Sequence, residues 1–332
     1  MTLKLLAQKL HMSVSSISKA LSNHPAMKQE TRSKVQKMAE QMHYTPNNWA
    51  INFRKGRTGI IGVIIPDLLD HFFVKFFCGL EQYALQNGYQ LLISQTFDST
   101  ENEISASQRF LDMKVDGMFV AISRTTTSFD HWTAFEEKNI PVVYYGRDPL
   151  YLPECHKVLV NNFEASFLAT QFLIDSGHTN IAFLGGPEAD SCVGDRLNGY
   201  LTAMKKNNLF LSGDLNAYTD FEEGNFDDII EKIFLKPNDL PDAMLVCNEP
   251  VLFRTLSKLT FINPDLARKI KCVVFGTAAF SEYLPCPSIL SIEENAELLG
   301  SQAMVLIMKL ITGHIDIKNY QKILIDCELV SL

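Results

Sequence analysis

The sequence lacks any apolar run long enough to cross a membrane. Its longest apolar stretches, 60–66 and 303–311, are far shorter than the roughly 20 residues that a membrane-spanning helix needs. Lys4, Gln8 and Lys9 interrupt the apolar start of the chain, which argues against a secretory signal peptide. These absences predict a cytoplasmic protein that has no membrane partner.

Paired cysteines and catalytic signatures are also missing. The seven cysteines are scattered and odd in number, and no two have the spacing C-x-x-C, which favours reduced thiols over a disulfide framework or a zinc site. There is no Walker loop and no G-x-G-x-x-G, and the spacing assigns no Ser-His-Asp or paired-carboxylate arrangement. We therefore predict a protein that is not an enzyme and that uses no metal and no cofactor.

Acidic residues are scarce in the first 57 positions. That segment contains ten Lys or Arg but only two acids, Glu30 and Glu40, so its net charge is +8. Because the whole chain carries −8, the remaining residues carry −16. A basic head on an acidic body is expected of a DNA-reading module attached to another domain. The length of 332 residues likewise predicts two or three domains.

The head begins with the pattern of two short helices. The first has apolar residues at the spacing of one helix face: Leu3, Leu6, Ala7 and Leu10. Ser13 is a good N-cap for the second. Its predicted inward residues are Val14, Ile17 and Leu21, with Ala20 at their edge. The pair predicts a helix-turn-helix, whose second helix lies in the DNA major groove, although an ordinary antiparallel helix pair has the same pattern.

Two further segments complete the head. A third helix is predicted from about Gln29 to Met42, and the turn residues 45–48 end it. The segment Trp49–Lys55 allows only two helical turns, which are marginal in water without a partner. We therefore predict a helix-turn-helix domain over 1–45 and a hinge helix with a basic linker over 46–57.

From Gly59 the pattern alternates between apolar strands and helices to the end of the chain, beginning with a strand predicted over 60–65 and a helix from about Phe72 to Asn87. Strands that are apolar throughout and alternate with helices indicate parallel sheets covered on both faces. The number of units exceeds one sheet, so residues 58–332 are predicted to form two lobes around a cleft. Lobe N is predicted to span about 58–158 plus 290–320, and lobe C about 159–288 plus the C-terminal strand. In such sheets, ligands bind beyond the carboxyl ends of the strands.

These motifs together resemble the LacI/GalR (lactose/galactose repressor) family of transcriptional regulators over essentially the whole chain. Those in the head are Ser13–Leu21, Glu30-Thr31-Arg32 and Tyr44-Thr45-Pro46-Asn47. Those in the body include Gly62–Asp67, Phe72-Phe73, Val115-Asp116-Gly117, Ile140–Val143, Gly177-His178, Phe183–Pro187, Arg196–Tyr200 and Gly300. The resemblance implies an all-α helix-turn-helix head, joined by a hinge helix to an α/β two-lobed periplasmic-binding-protein-like body with parallel sheets.

What the resemblance implies for function is a homodimeric transcription regulator, and most readily a repressor, that binds a pseudo-palindromic operator in double-stranded DNA. Its base-reading positions correspond to Val14, Ser15 and Lys19, and its minor-groove wedge to Phe53, where the family usually has leucine. The full set implied to contact DNA is Ser13, Val14, Ser15, Ser16, Lys19, Asn23, Asn47, Ala50, Phe53 and Arg54. Lys19 could instead contact phosphate alone, and Phe53 could simply pack. His11 replaces the usual turn glycine and must accept a positive φ.

For the body, the resemblance implies that the two lobes bind a small-molecule effector, a sugar or sugar derivative, in the cleft between them. Arg196 matches a ligand-contacting arginine, and Phe221 matches a residue that stacks on the ligand ring. The complete set of implied effector residues is Phe72, Phe73, Asp190, Cys192, Arg196, Phe221, Glu249 and Thr277. Arg196 could instead form a surface ion pair, and Phe72 and Phe73 could be core residues.

Departures from the family pattern leave the effector's identity open. Thr277 stands where the family has a sugar-binding aspartate, and Gly146 replaces the aspartate before Arg147. A solute-binding carrier of the same two-lobed fold is the alternative to a regulator. The basic head and the lack of a signal peptide argue against it. An enzyme such as a sugar-phosphate kinase is a third reading, which no nucleotide loop supports.

Overall fold

The computed structural model describes residues 3–21, 25–43, 57–188, 190–209, 215–219, 223–235, 240–276 and 289–331. The chain divides into two compact units, Met1–Thr58 and Gly59–Leu332. The hinge helix predicted at 49–55 lies outside the described residues.

Twelve helices occur in the described part of the chain. They are α1 Leu3–Leu10, α2 Val14–Leu21, α3 Gln29–Gln41, α4 His71–Gln86, α5 Thr100–Asp112, α6 Asp130–Glu137, α7 Asn162–Asp175, α8 Ser191–Lys206, α9 Glu223–Phe234, α10 Glu249–Ile262, α11 Pro264–Lys269 and α12 Ala296–Ile311. The first three belong to the smaller unit.

Twelve strands are described as well, all in the larger unit. They are β1 Ile60–Ile65, β2 Gln90–Gln95, β3 Gly117–Val120, β4 Val142–Tyr145, β5 His156–Val160, β6 Ile181–Gly185, β7 Asn216–Tyr218, β8 Ala243–Val246, β9 Lys271–Phe275, β10 Ile289–Glu293, β11 Lys322–Ile325 and β12 Glu328–Ser331.

The small unit has an apolar core between its three helices. Its buried residues are Leu6, Ala7, Ile17, Ala20, Val35, Ala39 and Met42. His11 adopts φ 52°, as predicted for the position where the family has glycine, and the Met12 N–H bonds to the Ala7 carbonyl across the turn. The prediction that Val14 faces inward is wrong, because Val14 is 38% exposed while Ala20 is completely buried.

The large unit contains two six-stranded sheets, each covered by helices. The lobe N sheet has the order β11-β5-β4-β3-β1-β2 and is parallel throughout. The lobe C sheet has the order β12-β10-β9-β8-β6-β7 and is parallel except for the pairing of β12 with β10. Continuously apolar strands such as β1, buried at all six positions, produce this arrangement because both faces of each sheet are covered.

Two glycines allow close helix packing in lobe N. A Cβ at Gly79 in α4 would collide with the Glu297 carbonyl, and a Cβ at Gly300 in α12 would collide with the Phe76 carbonyl. The two helices therefore cross at backbone contact and cover one face of the lobe N sheet.

The chain passes between the lobes three times, after β5, after β10 and after β11. Hydrogen bonds join the three crossings, because the Asn161 amide donates to the Asp326 carboxylate at 2.9 Å and the Asn295 amide donates to the Asp326 carbonyl at 3.0 Å. The predicted lobe limits differ from this arrangement: residue 158 falls inside β5, β10 belongs to lobe C, and β11 adds residues beyond 320 to lobe N. A hydrophobic pattern identifies a strand but not the sheet that it joins.

Candidate functional site

The first candidate site is the outer surface of α2 in the head. The Ser16 N–H donates to Ser13 Oγ at 3.1 Å, which caps the helix and confirms the N-cap predicted at Ser13. Ser13, Val14, Ser15 and Lys19 are exposed, and Ser16 is half-buried. Ile17 and Ala20 hold the opposite face in the core. The helix therefore presents hydroxyls, one methyl-rich side chain and one ammonium group on a single surface.

Several residues implied to contact DNA lie outside the described residues, so the structure does not place them. They are Asn23, Asn47, Ala50, Phe53 and Arg54.

The second candidate site is a cleft of about 580 Å³ between lobe N and lobe C. Six of the eight residues implied to bind an effector line it: Phe72, Phe73, Asp190, Cys192, Arg196 and Glu249. Phe221 and Thr277 lie outside the described residues. Most of the wall is formed by the carboxyl ends of strands and the helix starts that follow them, which is the expected ligand position in parallel sheets.

Arg196 lies in the wall of this cleft and is only 7% exposed. Its Nε donates to Asn162 Oδ1 at 2.7 Å, one terminal nitrogen donates to the Cys247 carbonyl, and the other forms an ion pair with Glu294 at 2.5 Å. Its guanidinium also lies 3.8 Å from the centre of the Phe275 ring. The alternative of a surface ion pair is therefore wrong: the pair is internal, and it joins α8 to the crossing that follows β10.

Burial governs the titration of Glu294. Desolvation raises its pKa, and the neighbouring guanidinium of Arg196 offsets only part of that increase, so the pKa stays above its ordinary value. A carboxylate of this kind depends on its partner to remain charged.

A second group of charges spans the cleft, and we call Asp98, Arg124, Arg147 and Asp190 the interlobe ion cluster. Arg147 donates to both oxygens of Asp98, at 2.5 and 3.2 Å, and to Asp190 at 3.0 Å. Arg124 lies 2.9 Å from Asp98 and 3.7 Å from Asp190. Asp190 belongs to lobe C and the other three residues to lobe N, so the cluster ties the lobes together. Burial raises the pKa of Asp98, but the two arginines more than offset it and hold that pKa below its ordinary value.

Hydrogen bonds beside the cluster join the same two segments. The Asp148 N–H donates to Ser191 Oγ at 2.9 Å, and Cys192 Sγ donates to the Gly146 carbonyl at 3.0 Å. Burial raises the pKa of the Cys192 thiol well above its ordinary value, which favours the neutral thiol in this contact.

Phenylalanines form the apolar wall of the cleft on the lobe N side. The rings of Phe72 and Phe73 meet edge to face at 5.3 Å, and Phe73 in turn meets Tyr145 at 6.1 Å. Gly146, with φ 73°, lies against both phenylalanines, and a Cβ there would approach Phe72 to 3.3 Å. Phe73, which is 5% exposed, is both a core residue and part of the cleft wall.

The sequence interpretation missed the lobe N members of the cluster. Asp98, Arg124 and Arg147 follow β2, β3 and β4, each within four residues of the strand end. Polar residues at the carboxyl ends of parallel strands are the signal that would have revealed them. Glu294 had no such signal, because β10 was not predicted.

Other chemistry finds little support in the described residues. Within them, no three His, Cys, Asp or Glu side chains are grouped so that they could hold a metal ion. No helix in the described ranges is both long enough and apolar enough to span a bilayer.

Comparison with protein families decides the class of the molecule. Residues 58–330 match the model of "Periplasmic binding proteins and sugar binding domain of LacI family". The chain belongs to the LacI family. The whole chain, head included, aligns with curated LacI-family repressors, which favours a transcriptional regulator over a solute-binding carrier.

Two relatives illustrate the extent of the match. The HTH-type transcriptional repressor CytR of Escherichia coli K12 is 26% identical over 99% of this chain and 94% of its own length. The repressor PurR of Vibrio vulnificus is 24% identical over 93% of this chain and 91% of its own length. Both relatives are transcriptional repressors.

Solved structures support the fold. A Lac repressor dimer bound to operator and an anti-inducer gives a TM-score of 0.81 at 20% identity, and the match covers 100% of this chain and 98% of that one. A complex of the regulator CelR with cellobiose gives 0.72 at 20% identity, with the same coverage. Both matches extend over the whole chain and support the same fold for it.

Proposed function

We propose that this LacI-family regulator is an effector-controlled repressor that binds a pseudo-palindromic operator as a homodimer. The observation that carries the proposal is the surface of α2, where a capped helix exposes Ser13, Val14, Ser15 and Lys19 above a buried core. The net charge of +8 over residues 1–57 supplies the attraction to phosphates that such a helix needs. The site of action would be the cytoplasm, where the DNA is.

On the DNA side, α2 would enter the major groove. Lys19 is exposed near the end of the helix and is long enough to reach a guanine edge, whereas Val14 can contact a thymine methyl group. Ser13, Ser15 and Ser16 would bond to phosphates or base edges. Asn23, Asn47, Ala50 and Arg54 are proposed as additional contacts, and Phe53 as the wedge of the hinge in the central minor groove.

On the effector side, the interlobe cleft would hold a sugar-like molecule. Phe72 and Phe73 provide an apolar wall, while Asp190, Arg196 and Glu249 provide polar groups at its edges. A concave site with an apolar wall and a few convergent polar groups is typical of small-molecule binding. Cys192, Phe221 and Thr277 complete the proposed set.

The experiment is a selection of operators from randomised duplex DNA with the full-length chain, followed by titration of the selected and random duplexes. Lys19→Ala is compared with Lys34→Ala, which removes the same charge from an exposed position on α3. If Lys19 reads a guanine, its loss costs about 1–3 kcal/mol on the operator and less on random DNA. The control variant should lose affinity equally on both.

Two outcomes would contradict the proposal at different levels. Equal losses for Lys19→Ala on operator and random DNA would show that Lys19 contacts phosphate only. Failure of the parent chain to select any sequence, or binding that does not weaken as salt rises, would contradict DNA recognition itself.

A further inference from the structure

The basic side chains that line the cleft in the described residues all face carboxylates. The ion pairs are Lys75–Glu293 at 2.7 Å, Arg124–Asp98 at 2.9 Å, Arg147–Asp98 at 2.5 Å, Arg147–Asp190 at 3.0 Å and Arg196–Glu294 at 2.5 Å. A guanidinium or ammonium group that already holds a carboxylate has little attraction left for an anionic ligand.

Carboxylates also outnumber the cations among the lining residues. Seven acids line the cleft against four Lys or Arg: Asp67, Asp70, Asp98, Asp190, Glu249, Glu293 and Glu294 against Lys75, Arg124, Arg147 and Arg196. The formal charge of the cleft wall is therefore negative, with His71 taken as neutral.

The position of Asp98 is maintained against backbone strain. Phe97 and Asp98 adopt φ 54° and φ 58°, two successive left-handed residues that are not glycine. Such conformations are unfavourable for residues other than glycine, although Asp adopts them more readily than most. The Arg124 N–H donates to Asp98 Oδ1 at 3.2 Å, in addition to the contacts of the two guanidinium groups. The structure thus accepts strain to hold one carboxylate where it neutralises Arg124 and Arg147.

These charges decide between ligand classes. A phosphate or carboxylate on the effector would have to displace Asp98 or Asp190 from Arg147, or else lie unpaired among acids in a partly desolvated cleft. A neutral hydroxyl has neither difficulty, since it donates a hydrogen bond to a carboxylate, and the face of a sugar or base ring can cover Phe72.

We propose that the cleft excludes effectors that carry an anionic group and takes a neutral molecule with hydroxyl groups. In this proposal, Asp98 and Asp190 determine specificity by occupying the arginines that a phosphorylated analogue would need. The inference rests on the proposed function, because it assumes that the cleft is the effector site.

The first test measures anion binding to the full-length parent and to an Asp98→Asn Asp190→Asn variant. Asp190 caps α8 by accepting the Cys192 N–H at 3.0 Å. Asparagine caps helices well and tolerates the left-handed φ of Asp98, so these changes remove charge and keep both backbone roles. Inorganic phosphate and ribose 5-phosphate are titrated by calorimetry. We expect the variant to bind at least one of them ten or more times more tightly than the parent does.

Asp227→Asn is the matched control, because it removes a carboxylate that pairs with Lys258 outside the cleft. It should bind both anions as the parent does. Equal phosphate binding by the parent and the double variant, both folded by circular dichroism, overturns the proposal. If the double variant does not fold, the same comparison is made with Asp190→Asn alone. This change removes one of the two carboxylates that pair with Arg147, so a smaller gain in anion affinity is expected.

The second test compares neutral molecules with their phosphorylated forms on the parent chain. The pairs are cytidine and cytidine 5′-monophosphate, D-ribose and ribose 5-phosphate, and D-glucose and glucose 6-phosphate. In any pair that binds, the neutral member should bind at least tenfold more tightly, and a tighter phosphorylated member overturns the proposal. Operator titration of the same preparation keeps the outcomes separate: a chain that binds operator but prefers phosphates refutes this inference and not the proposed function.

Discussion

Replacing Arg196 with Met should strongly destabilise the body at pH 7, because Arg196→Met removes the partner that compensates the buried Glu294 carboxylate. Removal of one partner of a buried ion pair typically costs about 3–5 kcal/mol. The change also deprives the Cys247 carbonyl and the Asn162 side chain of their donor, which adds to the loss. We expect a loss near the upper end of that range at pH 7.

The pH dependence identifies the cause. Burial already raises the pKa of Glu294 in the parent, and loss of Arg196 raises that pKa further. A carboxyl group with a pKa higher in the folded than in the unfolded state binds more protons when folded, so stability falls as pH rises between the two values. The deficit of Arg196→Met should therefore be largest at pH 7 and shrink as pH falls toward 5.

Urea unfolding followed by circular dichroism at pH 7 and pH 5 measures both effects. Adding Glu294→Gln should recover much of the loss at pH 7, because the carboxylate without a partner is then gone. Lys258→Met is the control: it breaks two largely exposed ion pairs within lobe C, with Asp227 and Glu231, and should have little effect. A loss below about 1 kcal/mol at pH 7, or one that does not change with pH, would refute the argument that Arg196 compensates a buried charge.

Three further changes test the packing, the thiols and the cleft. Gly300→Ala should cost about 1–3 kcal/mol in urea unfolding because its Cβ meets the Phe76 carbonyl, whereas Gly194→Ala, with open space around it, should be neutral or stabilising. Iodoacetamide at pH 8 should modify the exposed Cys78 well before the buried Cys155 and Cys247, because burial raises the pKa of Cys155 to about 11 and that of Cys247 to about 12. Equal rates of modification in peptide mapping would contradict this. Asp190→Asn should enlarge the ligand-free chain in small-angle scattering, and an unchanged radius of gyration would show that the interlobe ion cluster does not hold the lobes together.

Much of the body's secondary structure could be predicted because its strands are buried on both faces. The strand predicted over 60–65 has those limits in the structure, and the helix predicted over 72–87 is found at 71–86. Two elements of lobe C were missed. Residues 289–293 form a strand with alternating Ser and Glu, and helix α11 has only six residues, so neither has a long enough hydrophobic period.

The candidate site was predicted only in part, because its charges pair over long distances in the sequence. The family pattern identified Arg196, but its partner Glu294 is 98 residues away and its third contact, Cys247, is 51 residues away. Arg147 likewise pairs with Asp98 and Asp190, 49 residues before and 43 residues after it. Spacing along a chain carries no information on such pairs until the strand order of both sheets is known.

The strand order also bears on how the cleft would act as a switch in the proposed function. All three crossings leave the edges formed by β5, β10, β11 and β12, whereas Asp98 follows β2 at the opposite edge of lobe N, and Asp190 follows β6 on the far side of lobe C. The interlobe ion cluster therefore joins the lobes away from the crossings, where rotation about the crossings would separate the lobes most.

An effector shifts the balance between closed and open lobes only through the difference between its affinities for the two arrangements. A shift from 1:99 to 99:1 needs a difference in affinity of about 10⁴-fold. The ion pairs of this cluster favour the closed arrangement before any ligand binds. An effector that closes the lobes therefore needs a smaller difference in affinity between the two arrangements, and an effector that opens them needs a larger one.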